Sequence, residues 1–210
     1  MKKIIYVYLP DTMAEWELGN VLQAFAMEPM LCSGKKHFTV KTVGLTREAV
    51  KTLGGLTVIP DCVIAEMNDS DAAALLFPGA ETWKDEIHQP ILEKAVAYFE
   101  KGVLVAAACG ATVALADLGL LNERRHTSNA LEYLKACSPN YQGEALYQNA
   151  PAAADGNIIT ASVAGALLWA KKIIEHLELY PQPVIEAWYR YFQTGDPNCY
   201  LELIAATEEQ

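Results

Sequence analysis

The sequence predicts an α/β fold, a doubly wound, mostly parallel sheet with helices on both faces. Short apolar runs bounded by Gly, Pro and Asp alternate with segments whose apolar residues recur at helical spacing. The run 103–107 is apolar throughout, as expected of a parallel strand covered on both faces. No internal repeat, linker or low-complexity stretch interrupts the alternation, so residues 1–210 read as one domain, with 180–210 as a helical extension.

Residues 4–9 form the first predicted strand, ended by Pro10 and Asp11. The two lysines before it resemble the start of a secretion signal, but the apolar run is too short and no small-residue cleavage site follows. Trp16, Leu18, Val21, Leu22 and Phe25 fall at helical spacing, and 38–43 reads as strand again. A short strand at 57–59 and a compact one at 73–77, stopped by Pro78 and Gly79, come next. A helix over 89–101 has Pro90 in its first turn and Gly102 at its end. After the strand 103–107, Cys109 and Gly110 lead into an apolar helix through about residue 118. Short strands are expected at 145–147 and 158–161, around the turn Asp155-Gly156-Asn157, with a helix over 166–177 and an aromatic one over 184–192. In such a sheet, ligands sit at the carboxyl ends of the strands.

Composition narrows the function classes. The formal net charge is -10, which leaves no electrostatic footprint for nucleic acid and disfavours an acidic membrane surface. No apolar stretch approaches the length of a membrane span. The five cysteines are scattered, without a C-x-x-C pair or a Cys/His cluster at metal spacing, so neither a metal nor another cofactor is expected, and a reducing cytoplasm fits.

The strongest chemical feature is the junction of strand, Cys109-Gly110 and helix. A nucleophile on such a turn is lifted to the carboxyl edge of the sheet, and the free N–H groups of the helix start are expected to favour thiolate, lowering the pKa of Cys109. A cysteine in an alanine-rich run equally suits a small core hydrophobe. Gly79 ends another buried strand and, with the Gly110 N–H, could form an oxyanion hole, though a plain strand-ending turn explains it as well. Glu15 and Glu17 follow the first strand, where a carboxyl can reach a cysteine; an acidic first helical turn is the ordinary explanation. His37 and His88 are isolated and read as surface residues. His176 and Glu178 have the spacing of a catalytic His-x-Glu pair but fall on the solvated side of a helix end.

Glu15-Trp16-Glu17, Leu76-Phe77-Pro78-Gly79, Ala107-Ala108-Cys109-Gly110-Ala111, Gly119-Leu120-Leu121 before residues 124–129, and the run 155–162 occur in the order that resembles the ThiJ/PfpI superfamily. That superfamily has a flavodoxin-like, class I glutamine amidotransferase-like fold. The resemblance extends to about Leu179. It implies Cys109 as elbow nucleophile, Glu17 rather than Glu15 as the carboxylic acid hydrogen-bonded to its sulfur, and Gly79 with Gly110 as oxyanion donors. Relatives place a histidine directly after the nucleophile or a few residues beyond the Thr of the strand after Gly-Leu-Leu, where this chain has Gly110 and Asn129. His126, three residues earlier, is the candidate to replace it, or else a structural histidine.

The resulting expectation is a cysteine-dependent hydrolase, amidase- or protease-like, or a carbonyl-transforming enzyme acting on a small molecule. The alternative is a redox or stress-responsive protein in which Cys109 is oxidised. Glutaminase activity is disfavoured, and so is a gene-regulatory sensor, for want of a helix-turn-helix segment and positive charge. Aromatics at 188–192 suit core cover or a homodimer interface, and a homodimer is expected from the resemblance.

Overall fold

A computed structural model describes residues 3–32 and 37–208 of the chain. Its central sheet has seven strands in the order β5-β2-β1-β6-β7-β9-β8. These are β1 (Lys3–Tyr8), β2 (Phe38–Gly44), β5 (Cys62–Val63), β6 (Ala72–Phe77), β7 (Leu104–Ala108), β8 (Ala152–Asp155) and β9 (Ile158–Ala161). All pairings are parallel except β8 with β9, a hairpin turned at Gly156 with φ +58°. Val50–Lys51 (β3) and Thr57–Val58 (β4) form a separate two-stranded antiparallel arm, so the strand expected at 57–59 exists but lies outside the main sheet.

The helices are α1 (Gly19–Leu31), α2 (Gln89–Glu100), α3 (Ala111–Asp117), α4 (Leu131–Cys137), α5 (Ala166–His176), α6 (Gln182–Thr194) and α7 (Pro197–Glu208). Alternation along β1 divides the core. Ile5 and Val7 join α1, α5 and α6 on one face, while Tyr6 and Tyr8 join α2 and α3 on the other. Ala145, Leu146 and Tyr147 do not make the expected strand; the antiparallel partner of β9 is the alanine run 152–154, and Glu144–Leu146 is a single 3-10 turn. Trp16 leaves the predicted helical face and is half exposed, because the chain there winds as a 3-10 turn, Glu15–Leu18, before α1 begins.

His88 corrects its expected surface position. It is buried between Tyr8 and Trp83, with the Tyr8 hydroxyl 2.7 Å from Nδ1 and the Thr82 hydroxyl 3.1 Å from Nε2. His37 is exposed as expected, bonded to the buried carboxylate of Glu28. Trp188 is fully buried, and the Tyr191, Phe192 and Tyr200 rings pack on one another across α6 and α7. Of the aromatic tail, Trp188 serves as core cover, while Phe192 and Tyr200 are exposed. No helix among the described residues is long and apolar enough to cross a membrane.

Candidate active site

Strand order reverses between β1 and β6, and the crevice outside the carboxyl ends of β1, β6 and β7 is where an open parallel sheet receives ligands. The loops leaving these three strands carry Glu17, Gly79 with Ala80, and Cys109.

Cys109 links β7 to α3 with φ +50°, a left-handed conformation that side chains rarely adopt. Its N–H donates to the Ala161 carbonyl at 3.0 Å, and its carbonyl accepts from the Thr112 N–H at 3.2 Å and the Thr112 hydroxyl at 2.6 Å. That hydroxyl also meets Ser128 at 2.6 Å. Bonds on both sides hold the turn against its strain. The turn also requires Gly79 and Gly110. A Cβ on Gly79 would stand 2.7 Å from the Cys109 Cβ, and one on Gly110 would stand 3.0 Å from the Ala80 carbonyl oxygen.

Glu17 is completely buried. Its Oε2 accepts the Gly79 N–H at 2.6 Å, while Oε1 has no hydrogen-bond partner of good geometry among the described residues. Burial pushes its carboxyl above the usual range, opposed by the Gly79 N–H and the neighbouring Cys109 thiol. Glu15 instead accepts the Gly54 N–H at 3.2 Å, away from the sulfur, so of the two acids Glu17 is the one at the cysteine.

Three site expectations need correction. The Gly79 N–H is already bonded to Glu17, so it positions the carboxyl and is not free to hold an oxyanion. The next amide, Ala80 N–H, has no acceptor among the described residues and lies 3.6 Å from where a Gly110 Cβ would be. Sequence reading missed it because a free backbone donor carries no side-chain signature. The Gly110 N–H faces the Cys109 sulfur, as expected.

His126 is the second correction. It is fully buried, with Nδ1 2.6 Å from the Arg124 carbonyl and Nε2 2.6 Å from the Tyr141 hydroxyl. A carbonyl only accepts, so Nδ1 carries the proton and Nε2 accepts from Tyr141. Burial pushes the ring below its usual range, and the Tyr141 hydroxyl is pushed up to about 12. The neutral ring packs against Tyr141 and Tyr147 and makes no contact with Cys109.

Asn129 takes the place beside the sulfur. Its Oδ1 accepts the Val163 N–H at 2.8 Å, which aims Nδ2 at the Cys109 Sγ, 3.2 Å away. Contrary to the sequence expectation, the thiol is not lowered. Burial pushes Cys109 up and the Glu17 charge adds to this, outweighing the Asn129 and Gly110 N–H donors that favour thiolate. Each of the two acids resists charge, and ionising one opposes ionising the other. Beside Gly110 a cleft of about 400 Å³ opens, lined by Ala80, Trp83, Lys84, Val113 and Tyr133. Its size suits a small molecule. Among the described residues no group of His, Cys, Asp and Glu is arranged to hold a metal ion.

Comparison with known proteins agrees with the fold. Residues 2–176 match the pattern of the DJ-1/PfpI family. The chain is 36% identical over 200 residues to a protein of Bacillus subtilis (strain 168) called uncharacterized protease YoaZ, covering 95% of each chain. Among solved structures, a thiJ/pfpI family protein from Bacillus anthracis superposes with a TM-score of 0.88 at 37% identity, covering 98% of this chain and 97% of that one. A DJ-1 superfamily protein from Agrobacterium tumefaciens superposes at 0.78 with 30% identity, covering 93% and 99%.

Proposed function

This chain belongs to the DJ-1/PfpI family, and on that premise we propose that it is a cysteine-dependent enzyme acting on a small carbonyl or amide substrate. The observation that carries the proposal is the left-handed turn at Cys109, with its sulfur set between the Glu17 carboxyl and the Asn129 amide. In this reading Sγ attacks a carbonyl carbon while the thiol proton passes to Glu17, whose burial makes it a stronger base than a free carboxylate. The oxygen, now carrying the carbonyl π pair, accepts from the Gly110 and Ala80 N–H groups. With an aldehyde, the proton returns to that oxygen to give a hemithioacetal, from which water displaces the sulfur as the aldehyde hydrate while the thiol regains a proton. With an amide, the proton leaves on the amine and water must then hydrolyse the thioester. The protease names of Bacillus subtilis relatives favour the second outcome, and the absence of an imidazole at Cys109 among the described residues favours the first. The proposed setting is a reducing cytoplasm, which the free cysteines suit.

The direct test is consumption of small aldehydes and release of amine from short peptides by the purified protein. Cys109→Ser should reduce either turnover by at least about a hundredfold, and Asn129→Ala should move the thiol titration upward by about one pH unit through the lost donor. Turnover that survives Cys109→Ser sinks the proposal. The competing redox reading is favoured by the buried, unsatisfied Glu17 Oε1, which a sulfur oxide could serve. There the sulfur takes one oxygen from hydrogen peroxide and water leaves. No turnover on any substrate, together with Cys109 being first of the five cysteines to gain oxygen in mild peroxide, would establish that reading instead.

A further inference from the structure

We propose that Tyr133, which lines the cleft onto which Ala80 and Gly110 open, contacts substrate, its hydroxyl donating to the carbonyl oxygen of an aldehyde whose flat apolar substituent packs on Trp83 and Val113. The inference rests on the reading of Cys109 as a carbonyl-attacking nucleophile and adds the substrate's recognition.

Tyr133 lies in the first turn of α4, four residues beyond the Asn129 that holds the sulfur. Its side chain is half-buried, yet its hydroxyl has no hydrogen-bond partner among the described residues. The hydroxyl is therefore free to donate to a ligand in the cleft. The other tyrosine hydroxyls near the sheet edge are committed, Tyr8 to His88 and Tyr141 to His126. Burial pushes the Tyr133 hydroxyl above its usual range, and the Cys137 and Cys109 sulfurs push it further.

The cleft walls describe the rest of the substrate. Trp83 is pinned by the bond from its Nε1 to the Pro78 carbonyl at 2.8 Å, and its Cδ1 lies 3.5 Å from where a Gly110 Cβ would stand. A rigid indole edge, the Val113 methyls and the Tyr133 ring therefore surround the space next to the donors. Glu81 and Lys84, both exposed, stand at the mouth with opposite charges, so the cleft makes no net demand for a charged ligand. A neutral aldehyde bearing a planar apolar group fits this lining. On attack a C–S bond forms, the C=O π pair moves to oxygen, and the thiol proton reaches that oxygen through Glu17. Nothing leaves, and Tyr133 keeps its own proton while hydrogen-bonding the developing oxyanion.

The test is protection of Cys109 from iodoacetamide by benzaldehyde and by propanal, read by peptide mass spectrometry. Benzaldehyde should protect at a concentration about tenfold lower than propanal. Tyr133→Phe should weaken protection by both about 3- to 10-fold while leaving the alkylation rate without aldehyde unchanged, which also shows the variant to be folded. Protection that Tyr133→Phe leaves unchanged overturns the role of the hydroxyl, and equal protection by the two aldehydes overturns the apolar subsite. If neither aldehyde protects a Cys109 that alkylates normally, the carbonyl-attack reading fails and this proposal with it.

Discussion

Glu17 shows what one residue's surroundings do to its chemistry. A fully buried carboxyl served by a single strong donor is costly to ionise, so its folded pKa lies above that of the unfolded chain. Between those two values the folded protein holds more protons than the unfolded one, so stability falls as pH rises through this window. It is full below the ordinary carboxyl value of 4.5 and is lost as pH passes the raised folded value. Glu17→Gln removes the ionisable group and keeps an oxygen for the Gly79 N–H. The variant should melt a few degrees above the native protein at about pH 7.5, with the gap closing near pH 4.5. A gap equal at both pH values would show that Glu17 carries no charge penalty. The sequence made Cys109 and Glu17 legible because residue type, position after a strand and motif order all converge on them. It misplaced the oxyanion donor at Gly79, and it left His126 open, because which way an amide or imidazole points depends on partners distant in the chain. The partners here are Glu17 for the Gly79 N–H, and Tyr141 for the histidine.

Strands and helices were legible where one pattern dominates. The apolar runs that became β1, β6 and β7 are flanked by turn residues, and α2 begins with Pro90 and ends before Gly102. Short elements were not: α4 and β5 went unseen, since a seven-residue helix and a two-residue strand carry too little periodicity. At the C-terminus one aromatic helix was expected, and two were found. α6 presents Trp188 inward, where its Nε1 donates to Gln23 of α1 at 2.9 Å, and α7 packs back along α6, its Tyr200 ring against Tyr191. The pair therefore packs over α5 and α1 on one side of the sheet. Trp188→Ala should cost about 3–5 kcal/mol in chemical denaturation, the range for emptying a buried aromatic site. A cost below about 1 kcal/mol would make the pair a detachable appendage.

At the scale of the molecule, the winding decides which residues can meet. α5 starts from the carboxyl edge of β9 and runs back toward the opposite edge, and its 11 residues span about 16 Å. His176 is its last residue and Glu178 follows with φ +50°, so the His-x-Glu pair stands exposed at the far end from Cys109. His176→Ala should leave the alkylation rate and pH profile of Cys109 unchanged, and the native protein should release no ammonia from glutamine beyond that seen with Cys109→Ser. Glutamine turnover abolished by His176→Ala would overturn this placement. By itself the sequence determined the fold class, the alternation of strand and helix, and the pairing of Cys109 with Glu17, because these depend on local pattern and motif order. Only the tertiary structure decided that Asn129 stands at the sulfur in place of a histidine, that Ala80 offers the free amide, and that Tyr133 faces the cleft. Those facts are set by how loops from separate strands converge at the reversal of the sheet, and by burial that raises both acids, neither of which is written in any single segment of the chain.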